Sequence, residues 1–214
     1  MQTHTIDPLE ARVVMFRQQP EAKGFAELRQ ELRDAGRGEL LADVCATWAP
    51  LERDPLRAAD AWSEAGEAMV VLGETETAIE YLRTALELDP TNDRATDRLL
   101  EIVEPGDPAL AAEIIEHELA ELAGLHDPGR EPGHKRPAGD HRRKSELIAR
   151  RAAQHRRAAE LWNAHLGRID RALWHFQQAW KLEPHRTEAL EAARQLYHSL
   201  GDEAMVAKLF GAEL

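Results

Sequence analysis

The chain has 214 residues, of which 43% are hydrophobic and 31% charged, with a formal net charge of −12. That balance supplies enough apolar material for a core and excludes a disordered chain, while the acidity argues against general nucleic-acid affinity. Aromatic residues make up only 5%, and the one cysteine, Cys45, cannot close an internal disulfide, so an all-α fold in a reducing compartment is expected.

Residues Met1 to Phe16 lack a basic segment followed by an apolar run, and no stretch reaches the roughly 20 apolar residues that a membrane helix needs. A cytoplasmic protein without membrane contact is therefore expected. Asp7-Pro8 is a helix start, and Leu9, Val13 and Phe16 fall on one face of a helix ending near Gln18. Residues 1–21 are assigned to this capping helix and 22–125 to helical pairs. In the first pair Phe25, Leu28, Leu32, Leu41, Cys45 and Trp48 recur at helical spacing about a turn at Gly36. Cys45 reads as a small buried hydrophobe.

The next stretch, AWSEAGEAMVVLGETETAIEYLRTALELDP, runs from Ala61 to Pro90. Asp54-Pro55 opens a helix with Leu56, Ala59, Trp62, Ala65, Met69 and Leu72 inward, and Gly73 ends it. A second helix runs from Thr75 to Leu88 with Ala78, Ile79, Leu82, Ala85 and Leu86 inward, stopped by Asp89-Pro90. Small residues at Gly66, Ala78 and Ala85 let the two backbones approach closely. A third pair follows, with a short helix to Val103, a turn at Gly106, and a helix from Pro108 to Gly124.

His126 to Lys144, HDPGREPGHKRPAGDHRRK, is rich in Pro and Gly and nearly devoid of apolar side chains. It reads as a flexible basic insertion, 126–144. Residues 145–214 then carry a long helix opened by Ser145, with Leu147, Ile148, Ala152, Ala159, Trp162 and Leu166 inward, and further helical pairs. Leu166, Gly167, Ala172, Phe176, Ala179 and Pro184 repeat the separations of Leu72, Gly73, Ala78, Leu82, Ala85 and Pro90, and Leu200, Gly201 and Phe210 repeat them once more.

Trp62, Gly66, Gly73, Ala78, Leu82, Ala85 and Pro90 stand in register with the tetratricopeptide repeat, which this stretch resembles; Ala65 and Met69 replace its more usual Leu and Tyr. The resemblance implies helix-turn-helix repeats stacked as a right-handed α-solenoid, here five pairs, two clear and three degenerate, interrupted by the insertion. It also implies a concave groove lined by the first helix of each pair, where a peptide or helix of another protein docks. The residues assigned to its solvent side are Ser63, Glu67, Val70, Asp97, Glu101, Arg157, Leu161, His165, Glu191, Gln195 and His198. Their mixed, mostly acidic character favours a basic or amphipathic partner. The Lys/Asn/Arg set with which some members clamp a C-terminal carboxylate is missing, Ser63, Glu67, Ala158 and Glu188 standing at the matching positions. Trp174 is placed on the polar side of its helix with Gln177, Gln178 and Lys181, as a further contact for a partner.

No nucleophile–base arrangement, phosphate loop or HExxH occurs, and the ten histidines show no ligand spacing, so neither an enzyme nor a metal or other cofactor is expected. Between Arg130 and Arg157 ten basic residues face three acidic ones. Arg142, Arg143, Arg150 and Arg151 form its densest part, and a nucleic acid or acidic partner binding there is the alternative reading. Against it, the segment lacks interleaved aromatics and lies in sequence beside the acidic helix bearing Asp107, Glu113, Glu116, Glu118 and Glu121. A further alternative is a regulatory or terminal module of a larger assembly.

Overall fold

The computed structural model describes residues 7–124 and 140–212, with side chains for 7–124 and 144–209. The described residues form eleven α-helices and no strand: α1 (Pro8–Gln18), α2 (Ala22–Asp34), α3 (Gly38–Trp48), α4 (Pro55–Leu72), α5 (Thr75–Leu88), α6 (Asp93–Val103), α7 (Pro108–Gly124), α8 (Asp140–Ala164), α9 (Ile169–Leu182), α10 (Glu188–Ser199) and α11 (Glu203–Ala212). In chain order these are one leading helix and five helix-turn-helix pairs. They fall into two compact units, Met1–Ile102 and Val103–Leu214. No helix among the described residues is long and apolar enough to cross a membrane.

In the first unit α1 packs on α2 and α3, and its Val13 and Phe16 close a core made with Phe25, Leu28, Leu32, Val44 and Cys45. Phe25 is stacked on Trp48 at 5.3 Å between ring centroids. The carboxylate of Asp54 accepts from Leu56 N at 3.0 Å, satisfying one of the free amides at the start of α4. Gly73, at φ 83°, ends that helix in the left-handed region, with Glu74 N donating to Met69 O and Gly73 N to Val70 O. Gly36, Gly167 and Gly201 adopt the same sign of φ at the turns of three other pairs. Gly106 does not, because its turn is closed by amides of Gly106 and Asp107 that both donate to Val103 O.

The pair α4–α5 is held by the close approach that its small residues predict. Leu82, Ala78 and Ala85 are completely buried, with the Leu82 side chain lying directly over Gly66. Trp62 packs against Tyr81, ring centroids 5.0 Å apart. Leu56 and Leu72, expected inward, are exposed instead: both sit at the ends of α4, beyond the neighbouring helices that cover its middle.

In the second unit α8 packs on α7 and α9, α10 on α9, and α11 on α10. Ala159, Phe176, Ala179, Ala189 and Ala193 form a core flanked by Leu173, Trp180, Leu196 and Leu209. The proposed insertion lies mostly outside the described residues, but α8 starts at Asp140, five positions ahead of Ser145. Asp140 suits the positive end of a helix, and the Arg-Arg-Lys that follows in sequence has high intrinsic helix propensity, although its charges do not favour a helix start.

Candidate partner-binding faces and a histidine cavity

Two residues expected on the solvent side of the first helices are not there. Ser63 is completely buried and its hydroxyl donates to Ala59 O at 2.9 Å. Leu161 is 2% exposed. The reason is common to both: α4 is packed against both α3 and α5, and α8 against both α7 and α9, so each buries far more than one stripe. In the first unit, Val70 and Asp97 are half-buried and Glu101 is exposed. Glu67 is half-buried and held by the guanidinium of Arg94, whose Nε donates to it at 2.9 Å, and Glu101 pairs with Arg98. The acidic residues on this face therefore bring their own cations.

In the second unit, His165, Glu191, Gln195 and His198 are exposed. The last three, with Arg194, Glu203 and Val206, line a shallow depression of about 520 Å³, in which His198 Nδ1 is 2.8 Å from Glu203 Oε1. Arg157 is half-buried, its Nε and Nη2 both donating to Glu104 Oε2, at 3.0 and 2.7 Å. Trp174 is 53% exposed, on the side of α9 where its polar neighbours put it.

Three arginines of the basic segment, Arg150, Arg156 and Arg157, are engaged within the fold. Arg150 donates to Glu118 Oε1 at 2.8 Å and Arg156 to Glu183 Oε2 at 3.1 Å. The side chains of Arg142 and Arg143 lie outside the described residues.

Three buried polar groups escaped the sequence reading because charged and imidazole side chains were assigned to solvent. Glu64 on α4 is 3% exposed and receives Arg29 and Arg33, both from α2. Burial alone would raise its pKa, but the hydrogen bonds and charges of Arg33 and Arg29 outweigh that and hold it below the usual carboxylate value. Cys45 Sγ lies 3.7 Å from Glu64 Oε2, and burial together with that carboxylate pushes the thiol up to about 12. Arg29 and Arg33 stand four residues apart, on one face of α2, and Glu64 sits in a run of small residues; together these were the available signal. Glu118 on α7, 2% exposed, likewise receives Arg150 and, at 2.6 Å, the Gln154 amide.

The third group is a pair of buried imidazoles, His155 on α8 and His175 on α9, with Nδ1 atoms 3.0 Å apart. Trp174 meets both rings edge-on, at 5.6 and 4.8 Å between centroids. Burial first, then the nearby His175 and Arg151, push His155 down to about 4. Burial also lowers His175, against the opposing pull of Glu116. Both are neutral at pH 7. They line a cavity of about 800 Å³ among α7, α8 and α9. Among the described residues no three His, Cys, Asp or Glu side chains stand close enough together to hold a metal ion.

A family profile for the tetratricopeptide repeat matches residues 59–92, which span most of α4 and all of α5. The fold is also similar to solved structures: the assembly chaperone of RpL4, Acl4 (TM-score 0.61, 16% identity, covering 91% of this chain and 74% of that one), MamA residues 41–end from Desulfovibrio magneticus RS-1 (0.52, 17%, 89% and 91%), and a further MamA crystal structure (0.55, 14%, 96% and 91%). No curated protein matches the sequence. The chain thus carries one matched tetratricopeptide repeat, at residues 59–92, among five helix-turn-helix pairs in chain order with left-handed glycines at four of their turns, and its fold is similar to that of these solved structures.

Proposed function

We propose that the protein is a non-enzymatic scaffold or adaptor that binds a peptide or helix of another protein on the faces of its first helices. The observation that carries this reading is the row of side chains that packing leaves available there: Glu67, Val70, Asp97 and Glu101 in one unit, and Arg157, His165, Glu191, Gln195 and His198 in the other. Rigid helix pairs hold such a row in fixed register, which lowers the ordering cost of binding. Since Glu67 and Glu101 are already paired with arginines, the partner is amphipathic, with cations that exchange with Arg94 and Arg98 instead of meeting bare carboxylates.

A photo-crosslinker placed at Val70 or Gln195, and at Glu87 on the exposed side of α5 as a control, tests this in the native cell. The same polypeptide captured from Val70 and Gln195 but not from Glu87 is the expected result. Equal capture at Glu87, or capture at neither first-helix position, refutes the reading. Once the partner is known, joint Glu67→Gln and Glu101→Gln substitution is expected to slow association while leaving stability nearly unchanged, because both sites are partly solvated.

A further inference from the structure

The cavity among α7, α8 and α9 plays no part in the docking proposed above. Its volume, about 800 Å³, is that of a small-molecule or side-chain site. Leu119, Ala120 and Ala123 of α7 supply an apolar wall, and the exposed indole of Trp174 supplies a flat aromatic surface.

Two carboxylates, Glu116 and Asp170, and two guanidiniums, Arg151 and Arg171, line it, but they are not paired with one another one to one. Glu116 on α7 accepts from Trp162 Nε1 at 3.1 Å and from Arg171 Nη1 at 3.2 Å. Asp170 on α9 is held by Arg168 at 3.1 and 2.9 Å. Each carboxylate thus has its own cation. Among the described residues Arg151 on α8 has no such partner: its Nε is shielded from solvent and makes no hydrogen bond. A shielded, unused donor on a permanent cation is a standing demand for an anion.

His155 is set up to answer the same ligand. Glu116 Oε1 lies 3.6 Å from His175 Nε2 and favours the proton on that nitrogen, which makes His175 Nδ1 the acceptor of the 3.0 Å contact. His155 then donates from Nδ1 and keeps a lone pair on Nε2.

We propose that this cavity binds a carboxylate carried on an aromatic body, with Arg151 taking the carboxylate, Trp174 and the Leu119 wall taking the ring, and His155 gaining a proton on Nε2 as the anion enters. The ligand is either a free aromatic acid or the aromatic C-terminal residue of a peptide, since both present the same chemistry.

Phenylacetate is the first probe, followed by tryptophan fluorescence and calorimetry on the full chain. Saturable binding is expected, at least tenfold weaker for 2-phenylethanol and at least tenfold weaker in Arg151→Gln. Affinity rises as the pH falls from 8 to 6, because the anion favours the protonated imidazole. The groups facing that imidazole are Glu116, Arg151, Asp170, Arg171 and His175. N-acetyl-glycyl-phenylalanine and its amide separate the two sources: much tighter binding of the free-acid peptide than of phenylacetate assigns the site to a chain terminus. Ala120→Phe, at an exposed position on the cavity wall, blocks binding without touching the core and serves if Arg151→Gln is unstable. Equal binding of phenylethanol, unchanged affinity in both variants, or no saturation at millimolar concentration overturns the proposal. So does stoichiometric Zn²⁺ uptake lost in His155→Gln, which makes the cavity a metal site instead.

Discussion

Gly66→Ala is the sharpest test of how the α4–α5 pair is built. A Cβ added at Gly66 would lie 2.7 Å from Leu82 Cγ, 2.8 Å from Leu82 Cδ2 and 3.4 Å from Ala78 O. Carbon atoms settle at about 3.5–4.0 Å, so roughly 1 Å must be recovered by moving Leu82 or parting the helices. Leu82 is completely buried and has no empty space to move into. Overpacking of this kind costs roughly 1–3 kcal/mol. The gain from Ala over Gly inside a helix is about 1 kcal/mol, which leaves a net loss of about 0–2 kcal/mol. Urea titration followed by tryptophan fluorescence measures it as a lower midpoint at unchanged slope. Leu82→Ala alone is expected to cost about 2–5 kcal/mol. Combined with Gly66→Ala it costs less than the sum, because the new methyl enters the vacated space, and a coupling of about 1–2 kcal/mol results. If Gly66→Ala raises stability by about 1 kcal/mol, as on an open helix, or if the two changes add, the close-approach argument is wrong.

Three further outcomes are expected. Glu64→Gln strands two guanidiniums, but Arg29 and Arg33 are 22% and 38% exposed and keep some water, so the loss is about 2 kcal/mol, below that of a fully dry pair, and the same urea titration reads it. His155 has a folded pKa of about 4, below its unfolded value of about 6.5, so the stability it confers is complete above pH 6.5 and is lost as the pH falls toward 4, by up to about 3 kcal/mol. His155→Gln should flatten that part of the pH–stability profile, and an unchanged slope rules the assignment out. Trp174→Ala, at a half-exposed site, should shift stability by less than about 1 kcal/mol; a loss of several kcal/mol, as at a core site, means the indole is packed.

Much of the fold was legible because its determinants are local. Asp54 and Gly73 act within one turn of backbone, and Gly66, Ala78 and Ala85 lie on a single interhelical contact, so spacing alone exposes them. What sits between successive pairs was not legible. A hydrophobic stripe reports one buried side of a helix, whereas α4 and α8 each bury two, and the second side is written in polar residues such as Glu64 and Gln154. The candidate faces suffered accordingly: Glu67, Glu101, Gln195 and His198 stand near their expected exposure, while Ser63 and Leu161 belong to the interior. The imidazole pair joins residues twenty positions apart on different helices, a relation that no periodicity within either helix reveals.

The buried carboxylates of Glu64 and Glu118 also bear on assembly order. Helices in a repeat array resemble one another, and a hydrophobic stripe would dock almost equally well on the wrong neighbour. A carboxylate in a dry contact has no such tolerance. Glu64 receives two guanidiniums from α2, and Glu118 receives a guanidinium and an amide from α8. Stacks with helices in the wrong order would enclose an uncompensated negative charge and be disfavoured by several kcal/mol. Proofreading of helix order is thereby written into two side chains, and variants that replace both with Leu should gain alternative helix stacks even where their thermal stability is kept.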